Sequence, residues 1–156
     1  MRRKILTEDQ ALQKLRHFCR YQERCKNDVL AKMRSLLLPA SMQTSMIARL
    51  TSEGFLDDQR FANAYAEGKF SNNGWGRQKI IYELKSRQFG SAAIKQAVSA
   101  IDADLYLRKL DKLVKTRYDS LMDEKTPMRR KKTIQYLMAR GYEYDLVRLA
   151  VEEYAK

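Results

Sequence analysis

Residues that break helices or form cross-links are scarce in this sequence. Its 156 residues include only 6 Gly, 2 Pro and 2 Cys. So few glycines and prolines exclude collagen-like and low-complexity chains and favour an all-helical fold. Two cysteines form neither a disulfide framework nor a zinc quartet, so we expect a cytoplasmic protein. No apolar run approaches the roughly 18 residues of a membrane span, and the basic start reaches Glu8 too early for a signal peptide.

Acidic residues are outnumbered by basic ones. The chain has 31 Lys and Arg against 19 Asp and Glu, a net charge of +12. The excess is +7 in residues 1–52, zero in 53–104 and +5 in 105–156. Because such a field attracts polyanions, DNA, RNA or an acidic protein surface is the partner that we expect. The alternative is that the charge only keeps the protein soluble.

Apolar residues recur at helical spacing along the chain and predict about nine helices and no strand. Thr7 caps the first, with Gln10 completing a capping box. The next two cover about 28–37 and 42–52, and a fourth, capped by Asp57 or Asp58, is followed by a loop over 71–76. The helix from Arg77 to Arg87 is closed by Gly90. The later ones begin at Ser91, Asp104, Thr126 and Asp145.

Two of these later helices carry clear apolar stripes. The long helix that Asp104 opens is predicted to bury Leu107, Leu110, Val114, Tyr118 and Leu121. The last helix is predicted to bury Leu146, Leu149, Ala150 and Val151.

Three apolar anchors indicate an internal repeat. Met33, Leu84 and Leu137 lie 51 and 53 residues apart, and each is followed by an apolar residue five positions later. We therefore predict three tandem three-helix repeats in an elongated, curved helical array. The predicted organisation is a basic arm over 1–7, then repeats over 8–70, 71–123 and 124–156. The first repeat includes the first helix and a linking helix, and the three form one continuous domain.

At residues 54–65, the segment GFLDDQRFANAY resembles the G-x-L-D-D-x-R-F-A-x-x-Y signature of the RecX family. The matching positions are Gly54, Leu56, Asp57, Asp58, Arg60, Phe61, Ala62 and Tyr65. Residues 24–33 and 74–84 are similar to two further family motifs, R-S-x-x-E-L-x-x-K-L and G-x-G-x-x-x-I-x-x-E-L. Departures include Cys25 in place of a serine cap and Gln88 where a glycine is common.

The resemblance implies a non-enzymatic regulator of the bacterial recombinase RecA. Such a protein is built of three three-helix repeats and binds the RecA–DNA filament along its groove or at its ends. It restrains ATPase, strand exchange and co-protease activities, and so modulates recombination, DNA repair and the SOS response. No cofactor is implied, and we expect a monomer that binds no membrane.

Two rival functions remain as alternatives. One is a general single-stranded nucleic-acid-binding helical module without a recombinase partner, which charge and repeats alone would support equally well. The other is a small hydrolase or metal enzyme, which the absence of P-loop, zinc and nucleophile motifs disfavours.

Basic side chains recur on three helix faces, where we predict contacts to the filament or to DNA phosphates. Each stripe has an alternative interpretation as a solvated helix face. The third stripe begins a helix, where cations oppose the helix dipole and therefore suggest a binding use. The three stripes are Arg16, Arg20 and Arg24, then Arg108, Lys112 and Lys115, and finally Arg129, Arg130, Lys131 and Lys132.

Several other residues have both a structural and a functional interpretation. Asp57 and Asp58 could form a catalytic carboxylate pair, but capping a helix is favoured. For Arg60 a local ion pair with these carboxylates is favoured over ligand binding. Trp75 could stack on a base, but packing between helices is favoured. Cys19 lies on an apolar stripe and is predicted to be a core thiol.

Overall fold

A computed structural model describes residues 4–156, and this part of the chain contains nine α-helices and no β-strand. The helices are α1 (Glu8–Tyr21), α2 (Lys26–Ser35), α3 (Ala40–Ser52), α4 (Asp58–Asn73), α5 (Arg77–Ser86), α6 (Ser91–Ser99), α7 (Ala103–Ser120), α8 (Thr126–Ala139) and α9 (Tyr144–Tyr154). The predicted all-α fold class is confirmed for these residues. Arg2 and Arg3 of the predicted basic arm lie outside the described residues.

The chain divides into two compact units, one that ends at Phe61 and one over Ala62–Lys156. In the first unit, the predicted capping box at the start of α1 is confirmed. The Thr7 hydroxyl accepts a hydrogen bond from the Gln10 N–H at 3.2 Å, and the Gln10 side chain accepts one from the Thr7 N–H at 3.0 Å. Burying an aliphatic side chain stabilises a fold by about 1.5–3 kcal/mol, so apolar stripes hold α1, α2 and α3 together. Their core includes Leu12, Leu15, Val29, Met33, Met46 and Leu50.

The second unit has its own apolar core, drawn from α4 to α9. This core includes Ala62, Phe70, Ile80, Leu84, Ile94, Val98, Leu110, Val114, Leu137, Val147 and Val151. The predicted inward face of α7 is wrong at Leu107, which is 44% exposed, whereas Tyr106 is fully buried. The prediction for α9 is wrong at Leu149, which is 56% exposed, while Val147 is fully buried.

Tyr106 is buried because its hydroxyl group has polar partners. The oxygen accepts a hydrogen bond from the Arg77 N–H at 3.0 Å, and the O–H lies 3.0 Å from a carboxylate oxygen of Glu143, to which it donates. A phenol is stable in a core when its polar end is satisfied in this way. Burial, the largest cause, raises the pKa of Tyr106 well above its ordinary value, so the hydroxyl stays protonated. Helical spacing fits both Tyr106 and Leu107, because each lies about one turn before Leu110; the partner Glu143, 37 positions from Tyr106, decides which of the two is buried.

The predicted repeat corresponds to a recurring helix stop. The anchor residues are fully buried, and each carbonyl accepts a hydrogen bond from the N–H five residues later at 3.1–3.2 Å: Met33, Leu84 and Leu137. The residues four positions after the anchors have a positive φ: Leu37 (58°), Gln88 (66°) and Gly141 (98°). A left-handed residue here closes the end of a helix. Gly90, predicted to close α5, instead caps the start of α6, and Gln88 takes the stop position.

Several predicted helix boundaries differ from the structure by one to three residues, including the start of α3 at Ala40 and that of α9 at Tyr144. α2 begins two residues before the predicted start, because the Asp28 carboxylate accepts a hydrogen bond from the Cys25 N–H at 3.0 Å. α4 continues to Asn73, through the first half of the predicted loop over 71–76. α7 begins at Ala103 because the Asp102 side chain caps it. Short polar side chains bond to the nearest free N–H, so they shift helix ends by one or two residues.

Two glycines join the start of α5 to the turn between α8 and α9. The Gly76 N–H donates to the Arg140 carbonyl at 2.8 Å, and the Gln78 N–H donates to the Gly141 carbonyl at 2.9 Å. A Cβ atom on Gly76 would lie 2.3 Å from the carbonyl carbon of Gly141. Only glycine fits there, although its φ of −79° suits any residue. The second glycine of the G-x-G motif therefore permits a main-chain contact.

Candidate functional site

The segment 54–58 has a structural role in the first unit. Gly54, with a φ of 81°, follows α3, and the buried Leu56 packs in the core. The Asp57 carboxylate accepts a hydrogen bond from the Arg60 N–H at 2.9 Å, which satisfies a free donor at the start of α4. The favoured interpretation of Asp57 as a cap is confirmed. Asp58 is the first residue of the helix, where its negative charge suits the helix dipole.

Arg60 forms an ion pair, but not with the neighbouring carboxylates. Its Nε donates to Glu23 at 2.6 Å, and its Nη2 donates to the Phe55 carbonyl at 3.3 Å. The predicted local partners Asp57 and Asp58 are therefore wrong, whereas the preference for a structural ion pair over a free guanidinium is confirmed. Glu23 lies 37 residues before Arg60, so helix-surface spacing could not identify it.

The basic stripe on α1 is directed largely toward the protein itself. Arg16 bonds Glu53 through Nε and Nη2 at 2.9 and 2.8 Å, and its side chain is only 17% exposed. This hydrogen bonding is the main reason why the pKa of the Glu53 carboxyl lies below its ordinary value. The Arg24 guanidinium lies 3.8 Å from the centre of the Phe18 ring, and the exposed Arg20 lies 5.2 Å from that of Phe55. Among the described residues, Arg20 and Arg24 have no carboxylate partner.

The stripe on α7 is more accessible. Arg108 and Lys112 are exposed and pair with no carboxylate among residues 4–156. Lys115 lies 3.4 Å from the Asp119 carboxylate and 3.3 Å from the Tyr154 hydroxyl. The hydrogen bond with Tyr154, and next the one with Asp119, raise the pKa of Lys115. Arg108 and Lys112 are thus the members of this stripe that can contact an anion without losing an internal partner.

The four cations at the start of α8 divide into two kinds. Arg129 donates to the Tyr118 carbonyl at 2.7 Å and lies 3.9 Å from the centre of the Tyr118 ring, so it caps the end of α7. Lys132 pairs with Glu124. Arg130 and Lys131 are exposed, and Arg130 makes only a long contact of 3.4 Å to a carbonyl. The unfavourable interaction of these four cations with the helix dipole was the reason for predicting a binding use. The internal partners of Arg129 and Lys132 offset part of that cost.

A further cationic cluster, which helical periodicity does not predict, surrounds Trp75. The Nζ atoms of Lys69 and Lys79 lie 4.9 and 4.4 Å from the centre of its ring. Trp75 is half-buried and packs against the second core, which confirms the favoured packing role. In the described part of the chain, neither lysine has a carboxylate partner. Lys69 belongs to α4 and Lys79 to α5, so no single helical stripe contains both. The only indication of the cluster in the sequence is that the two lysines lie six residues before and four residues after the single tryptophan.

These surfaces are suited to binding anions. Two ammonium groups close to one aromatic ring, or two exposed cations one helical turn apart, can contact phosphate oxygens. In residues 4–156 no group of three or more His, Cys, Asp or Glu side chains is arranged to hold a metal ion. Cys19 packs against the first core, as predicted, and burial raises the pKa of its thiol. Across the same residues, no helix is both long enough and apolar enough to traverse a lipid bilayer.

Two family models match successive parts of the chain. The model described as the second three-helix domain of RecX matches residues 57–98, and that of the third three-helix domain matches residues 104–151. Together they cover more than half of the chain.

Curated relatives and solved structures agree with these matches. A regulatory protein RecX of Leuconostoc citreum is 28% identical over 83% of this chain and 48% of its own length. One from Xanthomonas citri is 29% identical over 83% of this chain and 78% of its own length. The chain spans about half the length of the Leuconostoc and Bacillus velezensis relatives. The crystal structure of RecX from Lactobacillus salivarius matches with a TM-score of 0.82 at 19% identity, covering 93% of this chain and 94% of that one, so it has the same fold.

Proposed function

This chain belongs to the RecX family, and from that membership we propose that it is a non-enzymatic regulator of the bacterial recombinase RecA. It binds RecA and the RecA–DNA filament as a monomer in the cytoplasm and needs no cofactor. In doing so it restrains ATP hydrolysis, strand exchange and co-protease activity, and thereby recombination, DNA repair and the SOS response. The observation that carries the proposal is the match of 57–98 and 104–151 to two successive RecX domains.

Exposed cations without a carboxylate partner among residues 4–156 support a polyanionic target. Arg20, Arg108, Lys112 and Lys131 are exposed in the structure. They contact phosphates of the filament's DNA without reading bases, so binding weakens as salt rises. Lys115, Arg16 and the other paired members of the predicted stripes contribute mainly by positioning these helices. The three-repeat organisation over 8–70, 71–123 and 124–156 belongs to the same proposal.

Titrating the protein into a RecA reaction tests the proposal. Single-stranded-DNA-dependent ATP hydrolysis by a bacterial RecA is measured beside binding of the protein to the same DNA at the same salt. We expect inhibition at concentrations well below those that saturate naked DNA. Unchanged ATPase and filament lifetime at excess protein would show that the proposal is wrong.

A matched pair of double variants assigns the contact surface. Arg108→Glu with Lys112→Glu changes two exposed cations of α7, and Lys85→Glu with Lys95→Glu changes two exposed cations elsewhere by the same charge. We expect the first pair to raise the half-inhibitory concentration by about tenfold or more, because it removes two proposed phosphate contacts. The second pair should change this concentration little, because Lys85 and Lys95 are not among the proposed contacts. Equal effects would exclude α7 as the contact surface.

A second candidate function is a general single-stranded nucleic-acid-binding module. The observation that favours it is the pair of lysines around Trp75, since cations beside aromatic rings are common where proteins bind single strands. The same titration separates the two functions. Inhibition that occurs only where the protein coats naked DNA would mean competition for DNA, and the second function would then be the better account.

A further inference from the structure

A cavity of about 430 Å³ opens between α1 and α2 in the first unit. Its size falls within the range of sites that hold small ligands. The residues that matter for its chemistry are Lys14, Phe18, Tyr21, Arg24 and Lys32. They combine an aromatic wall with three cations, and no part of the cavity belongs to the signature segment or to the α7 and α8 stripes.

The charge of this cavity is entirely positive. None of its lining residues is an Asp or a Glu, although the chain contains 19 of them. The Arg24 guanidinium lies 3.8 Å and the Lys32 Nζ lies 5.5 Å from the centre of the Phe18 ring. Both cations therefore lie over an aromatic ring and have no carboxylate partner among the described residues. A cavity of this kind attracts an anion, because no carboxylate in its lining competes with that anion for the cations.

An aromatic face at the edge of the cavity is available for stacking. Tyr21 is the last residue of α1 and is 78% exposed. The Arg24 guanidinium lies 5.9 Å from the centre of its ring. An exposed ring beside a planar guanidinium is the pair of surfaces on which nucleobases stack.

A second cavity of about 480 Å³ adjoins the first and shares Lys14 and Leu36 with it. It adds Lys4 to the cations and again contains no carboxylate. The exposed Ile5 and Leu37 give it an apolar wall. The positive surface therefore continues beyond Lys14. A polymeric ligand that carries more than one anionic group requires such an extended surface.

We propose that the first cavity binds one unpaired nucleotide of single-stranded DNA. The base stacks on Tyr21 and the Arg24 guanidinium, and the flanking phosphates contact Lys14 and Lys32. An acidic peptide would satisfy the cations but would leave the aromatic face uncovered, whereas a nucleotide supplies both a flat ring and an anion. The proposal goes beyond the regulatory function, and it is tested on naked DNA without RecA, so either one can fail alone.

Binding of a fluorescently labelled oligothymidylate 20-mer to the full chain, followed by anisotropy, tests the stacking contact. Stacking on one aromatic residue contributes about 1–3 kcal/mol, or about 5- to 150-fold in affinity. We expect Tyr21→Ala to weaken binding by about tenfold and Tyr21→Phe to leave it nearly unchanged. The matched control is Tyr82→Ala, which removes a tyrosine that is 70% exposed and lies outside the cavity. Equal losses in Tyr21→Ala and Tyr82→Ala would overturn the proposal.

The salt dependence of the same binding tests the phosphate contacts. For single strands, each lost phosphate contact makes the negative slope of log affinity against log salt shallower by about 0.7. We expect this change for Lys14→Gln and not for Lys95→Gln, which alters an exposed lysine of α6. A labelled oligoglutamate peptide provides the last arm. If Tyr21→Ala weakens its binding and leaves that of the oligonucleotide unchanged, the cavity is a peptide site and the proposal is wrong.

Discussion

Replacing Gly76 by alanine should destabilise the second unit far more than the same change at Gly90. Both glycines precede a helix, with φ and ψ of −79° and 166° at Gly76 and −71° and 153° at Gly90. Alanine adopts these angles without strain, so the pair differs only in surroundings. A Cβ atom on Gly90 would meet nothing within 4 Å, whereas one on Gly76 would lie 2.3–2.4 Å from main-chain atoms of Gly141 and Tyr142.

The expected magnitude follows from these contacts. At Gly90, weaker capping by alanine and the smaller entropy of the unfolded chain oppose each other, so the net change is within about 1 kcal/mol. At Gly76 the turn before α9 must move, at a cost of about 1–3 kcal/mol for overpacking. The main-chain hydrogen bonds to Arg140 and from Gln78 weaken as well, at about 0.5–1.5 kcal/mol each. The total of about 2–6 kcal/mol is a large part of the 5–15 kcal/mol typical of a domain.

Urea unfolding followed by the fluorescence of Trp75 measures the difference. This residue is the only tryptophan and packs against the second core, so its signal reports on that unit. We expect a lower midpoint for Gly76→Ala at an unchanged slope, and a midpoint near that of the unmodified protein for Gly90→Ala. Free energies of unfolding within about 1 kcal/mol of each other in the two variants would refute the main-chain contact as the reason for glycine.

Three further predictions concern the helix stop, an ion pair and the α8 cations. Gln88→Gly should raise the free energy of unfolding by about 0.5–1 kcal/mol in the same urea assay, because the left-handed φ of 66° strains any residue with a Cβ atom; a lower midpoint would contradict this. Hydrogen bonds from Arg16 lower the pKa of Glu53 in the folded protein below its ordinary value of 4.5. The stability that this carboxylate contributes is therefore complete above pH 4.5 and is lost as the pH falls through the lower pKa of the folded state. Glu53→Gln should therefore flatten the acid limb of a plot of melting temperature against pH, and an unchanged limb would exclude the pair as its cause. Arg129→Ala should cost about 1–2 kcal/mol by leaving the Tyr118 carbonyl without its charged donor, whereas Lys131→Ala should change stability by less than about 0.5 kcal/mol and weaken only binding to DNA or the filament.

Exposed and internally paired cations could not be distinguished from spacing alone. Arg16 and Arg20 lie one helical turn apart on one face of α1, yet Arg16 is held by Glu53 and Arg20 is free of carboxylates among residues 4–156. Glu53 lies 37 residues after Arg16, and helical periodicity contains no information about such pairs. For the same reason, Lys69 and Lys79 were missed, because their common partner Trp75 joins two different helices.

The sequence by itself determined the all-α class, the helices of residues 4–156, the recurring apolar anchors and the family. These features depend on caps, apolar stripes and a twelve-residue motif, all of which act between residues close in the chain. Only the tertiary structure decided that Tyr106 is buried in place of Leu107 and that Gly76 must be a glycine. It also decided which basic side chains remain available to a partner. Each of these outcomes depends on an atom contributed by a distant helix, such as Glu143 beside Tyr106 or the Gly141 main chain against Gly76, and packing alone brings those atoms together.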